Sequence, residues 1–339
     1  MESVFALQVK CASRLVVKHL AGNQKVGVQI TSAEITVLIY FSTQRLCLKI
    51  LVAKRMLASV ANYEYKTLKV SSPSNHILHV ELNRPDKRNA MNQQFFIDIR
   101  KCFEQIKDDS SARAVILSGS GKLFTSGLDL MSYMPHLMPK TDEDVGRRAF
   151  QLRTMVSEMQ NSFTAIEKCH QPVIGVVHSG CVGGGIDLIC ACDIRLCTKD
   201  SWFTIKEVDL GLAADLGTLQ RLPKVIGNQS LVRELAFTAR KMFADEALSC
   251  GLVSRLYDDK ETMLLHATEL AIEIASKSPV AVATTKHQLN YARDHTVEEG
   301  LDYILSWNMG LLQTKDLIVA GKASMEKSLP VFENMHSKL

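Results

Sequence analysis

The 339-residue chain is 46% hydrophobic with a formal net charge of +4, enough apolar material for one large core or two modest ones. The surplus charge sits in residues 1–60, which carry eight Lys/Arg against two acids. The rest is slightly acidic, which excludes a nucleic-acid footprint on the body. No apolar run approaches the roughly 20 residues that span a bilayer, and the longest near the N-terminus, Ile35 to Phe41, is interrupted by Thr36.

In chain order, residues 1–60 read as a basic leader, either disordered or a targeting segment. Basic and poor in acids, it loosely fits a mitochondrial presequence. The ordered body is expected from about Tyr63. Tyr65 to Val70 predicts a strand, Ser71 to Asn75 a turn, and Ile77 to Leu82 a second strand that Asn83-Arg84-Pro85-Asp86 breaks. Phe95, Phe96, Ile99, Phe103 and Ile106 lie at helical spacing and predict a helix over 92–107. Ala114 to Leu117 is a short buried strand. Residues 131–147, with Pro135, Pro139 and three adjacent acids, predict a long loop beside a candidate site. A helix follows over 148–168, then a strand over 172–177, a helix opened by three glycines at 184–192, and a strand from Ile194. This strand–strand–helix order is not the alternation of a Rossmann domain. Residues 256–320 form a helical C-terminal region, in which Pro279 marks a helix start and His287 is a packing residue rather than a ligand. A polar tail covers 321–339. It ends on Ser337-Lys338-Leu339, a peroxisomal signal that implies an import receptor as partner.

The nine cysteines lack the paired spacing of a zinc site, and Cys190, Cys192 and Cys197 lie in an apolar stretch. They read as buried free thiols in a reducing compartment. Gly119-Ser120-Gly121-Lys122 is not a phosphate loop, because Leu123 stands where Ser or Thr is needed.

Two glycine patches carry more chemistry. In Phe124-Thr125-Ser126-Gly127-Leu128-Asp129, Gly127 permits a tight path that can aim the Leu128 N–H into a cleft, though by itself this patch reads more simply as an ordinary strand-to-helix turn. In Gly183-Gly184-Gly185-Ile186-Asp187, three glycines heading a helix lose backbone entropy on folding. Either close packing or a close approach to a ligand justifies that loss. Three acids follow in apolar or small surroundings: Asp187, Glu207 and Asp215. Asp187 also suits compensation of a helix dipole, and Asp215 suits a helix N-cap or a buried salt bridge. Free N–H donors beside carboxyls together suggest chemistry on an activated acyl group through an enolate-like intermediate.

The segments Asn83 to Met91, Phe124 to Asp129 and Gly183 to Asp187 together resemble the enoyl-CoA hydratase/isomerase (crotonase) superfamily. The run from Lys206 to Thr218, with aspartates at both 187 and 215, resembles its Δ3,5-Δ2,4-dienoyl-CoA isomerase branch of fatty-acid β-oxidation. The resemblance implies an α/β fold: a spiral of β-β-α turns over 61–255 carrying the active site, with a C-terminal helical region that builds trimers, often paired into hexamers. It implies an oxyanion hole at the N–H groups of Leu128 and Gly184, with Gly127 and Gly183 lining the substrate. Glu207 and Asp215 become the proton-transfer pair and Asp187 a third acid. Lys87, Arg88 and Ala90 lie against the coenzyme A moiety of an acyl-CoA thioester. The implied reaction converts 3,5-dienoyl-CoA to 2,4-dienoyl-CoA with no metal or redox cofactor. Which acid serves C2 and which C6 stays open. So do a hydratase, a Δ3-Δ2-enoyl-CoA isomerase and a non-catalytic acyl-CoA binder on the same fold. The implied location is the peroxisome by the terminal tripeptide, with a mitochondrial address at the leader.

Overall fold

The structure, a computed structural model, describes residues 63–138 and 144–335 together with three short N-terminal strands. The terminal Ser337-Lys338-Leu339 lies outside the described residues, as do residues 139–143 of the expected loop.

Two units divide the chain near residue 51. In the first, β1 (Leu15–Val17), β2 (Val26–Ile30) and β3 (Ile35–Ile39) form an antiparallel meander where the sequence predicted no element.

The second unit starts with an antiparallel pair, β4 (Leu68–Ser74) and β5 (Ile77–Leu82). The turn expected over Ser71 to Asn75 is displaced, because strand pairing continues to Ser74 across an irregularity between Ser71 and Ser74. The chain reverses instead at His76, which has φ +65. Helix α1 (Gln93–Asp108) is capped by the Asn92 side chain and buries the apolar stripe read from its spacing. Strand β6 (Ala114–Gly119) follows.

The segment 131–147, expected as a loop, contains α2 (Leu130–Leu137) and the first turn of α3 (Val145–Lys168). Asp129 and Asp144 cap these helices through their side chains. Those caps outweigh the breaking tendency of Pro135, which sits inside α2.

Strands β7 (Val173–Val177) and β8 (Gly180–Val182) lead to α4 (Gly184–Cys190). Strands β9 (Ile194–Thr198) and β10 (Trp202–Thr204) lead through a 3-10 turn, Glu207–Leu210, to α5 (Thr218–Ile226). Helix α6 (Gln229–Thr238), β11 (Met242–Phe243), α7 (Ala244–Ser249) and β12 (Leu256–Tyr257) come next. Four helices end the described chain: α8 (Lys260–Ala275), α9 (Pro279–Ala292), α10 (Val297–Leu311) and α11 (Lys315–Glu326). The polar tail expected from Gly321 therefore begins only after α11, whose N-terminus is capped by Thr314.

The main sheet runs β12-β9-β7-β6-β5-β4, parallel except at the β4–β5 pair. Alternation along its strands explains its two covered faces. Val115 and Leu117 join the large core with Phe95, Ile99 and Phe103 of α1. Ala114 and Ile116 turn the other way, onto Met263, Ala267 and Ala271 of α8. Residues beyond 255 thus help close this core. A smaller sheet, β11-β10-β8, stands beside it.

The β-β-α order repeats as β4-β5-α1, β7-β8-α4 and β9-β10-α5. In the turn after β6 a single bridge, Thr125 to Cys181, stands where a second strand would be. The cysteines behave as expected: Cys190, Cys192 and Cys197 are buried and free, and burial pushes each thiol up to about 12.

Candidate active site

The two glycine patches meet because the segment after β6 pairs with β8 through the Thr125–Cys181 bridge. Thr125 N–H donates to the Gly180 carbonyl, and Val182 N–H to the Thr125 carbonyl, each at 3.2 Å. Just beyond, Gly127 (φ +84) lies so close to the second strand that a Cβ there would stand 2.8 Å from the Val182 carbonyl oxygen and 3.8 Å from Gly183 Cα. Only glycine fits both the torsion and the gap.

The same contact decides where the Leu128 N–H points. Met91 bridges to Leu128 in parallel: its N–H donates to the Gly127 carbonyl at 2.8 Å, and its carbonyl accepts from the Asp129 N–H at 3.0 Å. In such a bridge the central residue's own N–H faces the opposite side. Leu128 therefore directs its donor away from Met91.

Gly183 takes φ +50 and ψ −118 and donates its N–H to Thr204 at 2.9 Å. Gly184 then begins α4, where a first-turn N–H has no partner within the helix. Gly185 answers a different need: a Cβ there would stand 2.5 Å from Thr125 Cγ2. Of the three consecutive glycines, one serves torsion, one frees an N–H beside Met91, and one serves packing.

A scaffold that the sequence did not single out holds this region. Asn89 is buried, and its amide donates to the carbonyls of Ser120, Leu123 and Phe124 at 2.7, 3.1 and 3.0 Å. Its side-chain oxygen accepts from Arg84 N–H at 2.9 Å, and its carbonyl accepts from the Thr125 hydroxyl at 2.7 Å. Arg84 forks onto one Asp129 oxygen with both contacts at 3.1 Å and also reaches the Ala90 carbonyl. The available signal was an Asn and an Arg flanking a turn, with left-handed residues Arg88 and Asn89 at φ +52. Lys87 and Arg88 remain exposed beside the half-buried Ala90, and the Arg88 carbonyl accepts from Ser126 N–H at 3.0 Å.

The three acids come from three segments and share one electrostatic field. Asp187 is 1% exposed and accepts the Thr218 N–H at 2.6 Å. It therefore caps α5 rather than compensating only its own helix. Burial raises its carboxyl to about 6 against the pull of the Thr218 contacts, and the Asp215 charge adds to the rise. Glu207 begins the 3-10 turn, which closes at Gly211 (φ +72). Its Oε1 lies against Gly183, where a Cβ would approach it to 3.1 Å. Its Oε2 is buried with no hydrogen-bond partner.

Burial raises Glu207 to about 7, with the charge of Asp187 second and that of Asp215 adding. Asp215 stands on an exposed rim, yet desolvation by the flanking protein still raises its carboxyl. It is not the N-cap of α5, which is Gly217. Among the described residues none of the three acids forms an ion pair, whereas Asp129 and Glu167 do. Carboxyls that keep no cation are held ready for protonation.

Volume alone does not point here. A cavity of about 820 Å³ lies between α1, α2 and α3 and is lined by residues such as Phe96, Tyr133 and Met155. The carboxyl cluster is recognised by its charge and its orphan donors instead. Among the described residues no group of three or more His, Cys, Asp or Glu is placed to hold a metal ion, and no helix is long and apolar enough to cross a membrane.

Gly127→Ala tests the first donor. The new methyl meets a backbone oxygen, which cannot swing aside, and φ is wrong for an L side chain. Strain of about 1–3 kcal/mol is expected to displace the Leu128 N–H. The expected result is a loss of kcat of about a hundredfold in protein that still unfolds cooperatively. Full turnover would remove Leu128 from the site.

An enoyl-CoA hydratase/isomerase family model matches residues 72–335. The chain belongs to that family. A mouse (Mus musculus) relative, "Delta(3,5)-Delta(2,4)-dienoyl-CoA isomerase, mitochondrial", is 57% identical over 275 residues, covering 81% of this chain and 84% of its own length. An Arabidopsis thaliana relative, the peroxisomal enzyme of the same name, is 43% identical over 274 residues, covering 80% of this chain and 98% of its own. In structure the chain is similar to an enoyl-CoA hydratase from Bacillus anthracis, with a TM-score of 0.72 at 28% identity over 79% of this chain and 99% of that one. The α/β spiral expected from the resemblance is the fold observed.

Proposed function

We propose that the protein isomerises 3,5-dienoyl-CoA to 2,4-dienoyl-CoA in fatty-acid oxidation, the activity that its mouse and Arabidopsis relatives are named for. The observation that carries this reading is the set of three raised carboxyls, coupled to one another and, among the described residues, without an ion-pair partner. In this reading the thioester carbonyl sits between the N–H groups of Leu128 and Gly184. Negative charge that grows on its oxygen is stabilised there, each such donor being worth about 3–4 kcal/mol.

In this reading Glu207, whose Oε1 lies 3.1 Å from where a Gly183 Cβ would stand, takes the proton from C2, the carbon next to the carbonyl. Electrons then spread over a trienolate from the thioester oxygen to C6. Asp215, borne on the following segment, returns a proton at C6. The C3 and C5 double bonds become C2 and C4 double bonds, and the carbonyl reforms. One proton leaves and one arrives, so the carboxyls and backbone donors account for the whole step without a cofactor. Asp187 raises Glu207 by its charge and anchors the Thr218 end of the Asp215 segment.

Lys87, Arg88 and Ala90 are the groups we assign to the coenzyme A portion. The apolar exposure of Leu301, Leu305 and Met309 on α10 supports a homo-trimer or hexamer built through the C-terminal helices. Relatives are named for both mitochondrion and peroxisome, and Ser337-Lys338-Leu339 favours peroxisomal import.

Purified protein mixed with 3,5-dienoyl-CoA should produce the rising ultraviolet band of a conjugated 2,4-dienoyl thioester. Folded protein that leaves the spectrum flat would refute the assignment.

A further inference from the structure

The Asp215 to Thr218 segment carries one proposed proton-transfer group, and its Thr218 N–H holds another acid of the site. Its backbone is tied down from outside by a single face of α3. Gln160, Thr164 and Glu167 stand at i, i+4 and i+7 on that helix and so point the same way. Gln160 Nε2 donates to the Asp215 carbonyl at 2.6 Å. Glu167 accepts from Nε and Nη2 of Arg221 at 3.3 and 3.0 Å, and the Thr164 hydroxyl accepts from the same Nη2 at 3.2 Å. So fixed, Arg221 extends Nη1 to the Leu216 carbonyl at 3.4 Å. Its guanidinium lies directly over Gly217 (φ +131) and leaves no room for a Cβ. Glu167 is itself braced by Asn290 of α9 at its carbonyl and by Arg293, the residue that caps α9, at its carboxylate.

The carbonyls of Asp215 and Leu216 and the N–H of Thr218 are thus each held, while among the described residues the Asp215 side chain makes no ion pair. This is the arrangement expected where a carboxyl must be accurately placed yet chemically free. Arg221 spends its charge on Glu167 and its reach on a carbonyl, so it orients the segment without neutralising the acid.

Building on the function proposed above, we infer that Gln160 and Arg221 are positioning residues. They set the reach of the Asp215 carboxyl through the carbonyls of Asp215 and Leu216, and so govern proton delivery at the distal carbon rather than proton removal at C2.

The test separates the two steps. Gln160 is exposed, so Gln160→Ala removes one hydrogen bond with little risk to folding. In deuterated water, its kcat for 3,5-to-2,4 isomerisation should fall about tenfold with KM unchanged. Deuterium entering C2 of recovered substrate should persist at the wild-type rate or above it, because the intermediate now returns its proton more often. Gln160→Lys, which restores an N–H donor, should recover most of the lost kcat. Gln160→Glu, which can only accept, should not. Arg221→Lys keeps the charge but loses the fork, and should slow the same step.

Equal loss of isomerisation and C2 exchange would mean general damage and overturn the inference, as would full kcat in Gln160→Ala. Asp215→Asn, measured alongside, tells the two readings apart. If it also turns over normally, the assignment of Asp215 fails. If it alone is inactive, only the positioning role fails.

Discussion

Asp215→Asn should abolish practical turnover of 3,5-dienoyl-CoA, with kcat reduced about 10³–10⁴-fold, while acyl-CoA still binds. The reason is positional. In the proposed mechanism Glu207 serves the carbon next to the thioester, and a second acid is needed to finish a shift across two double bonds. Asparagine matches aspartate in shape but has no acidic proton to give. Because Asp215 is exposed and its carboxylate makes no ion pair among the described residues, the change should leave folding intact, which circular dichroism and binding of a substrate analogue can verify. Deuterium exchange at C2 should survive. Normal isomerisation by this variant would refute the assignment of the distal acid.

Glu207→Gln should be more severe in kind, because it removes both isomerisation and C2 exchange. A loss of about 10³-fold or more is expected. The wild-type pH profile of kcat/KM offers an independent check, since it reports the free enzyme. Glu207 must be ionised to accept the C2 proton, and burial followed by the charge of Asp187 raises it to about 7. Asp215 must meanwhile carry the proton it delivers, and burial raises its carboxyl as well, so activity should be bell-shaped in pH, with one limb near 7 set by Glu207 and the other set by Asp215. Asp187→Asn removes the charge beside Glu207 but leaves its burial. The limb set by Glu207 should then move to lower pH without reaching the ordinary range of an exposed glutamate. A limb that stays in place or moves upward would show that the two carboxyls do not share a field. The acids titrate as a coupled set, so the limb belongs to the cluster, and its response to Asp187→Asn identifies the coupling.

Much of the fold was legible from local pattern. The stripe of Phe95, Ile99 and Phe103 predicted α1, and the alternation in Ile77 to Leu82 predicted β5, because each records burial on one face of a regular element. Misplacements occurred where a local signal was outvoted. Ser71 to Ser74 has turn-forming residues, yet it pairs with β5. Pro135 marks a break, yet α2 runs through it because Asp129 caps the start. Gly321 and its polar neighbours suggest a tail, yet α11 carries on to Glu326.

The residue types of the site were equally legible. Gly127 and Gly183 have the positive φ that glycine alone takes readily, and acids in apolar company stand out against composition. The Arg84–Asn89 clasp was not legible, since an arginine or asparagine in a turn is ordinary until its carbonyl partners are known. The three lines leading from α3 to the Asp215 segment were hidden for the same reason, as Gln160 lies 55 positions from the carbonyl it holds.

By itself, then, the sequence determined the elements with strong periodicity, the glycines that free backbone donors, and the three acids with their family resemblance. These are properties of torsion and side-chain chemistry, which act over a few residues. Only the tertiary structure decided that Asp187, Glu207 and Asp215 converge without a cation, that Leu128 turns its N–H away from Met91, and that Asp187 caps a helix other than its own. Those outcomes depend on which distant segments the core brings into contact, and no window of sequence contains both partners.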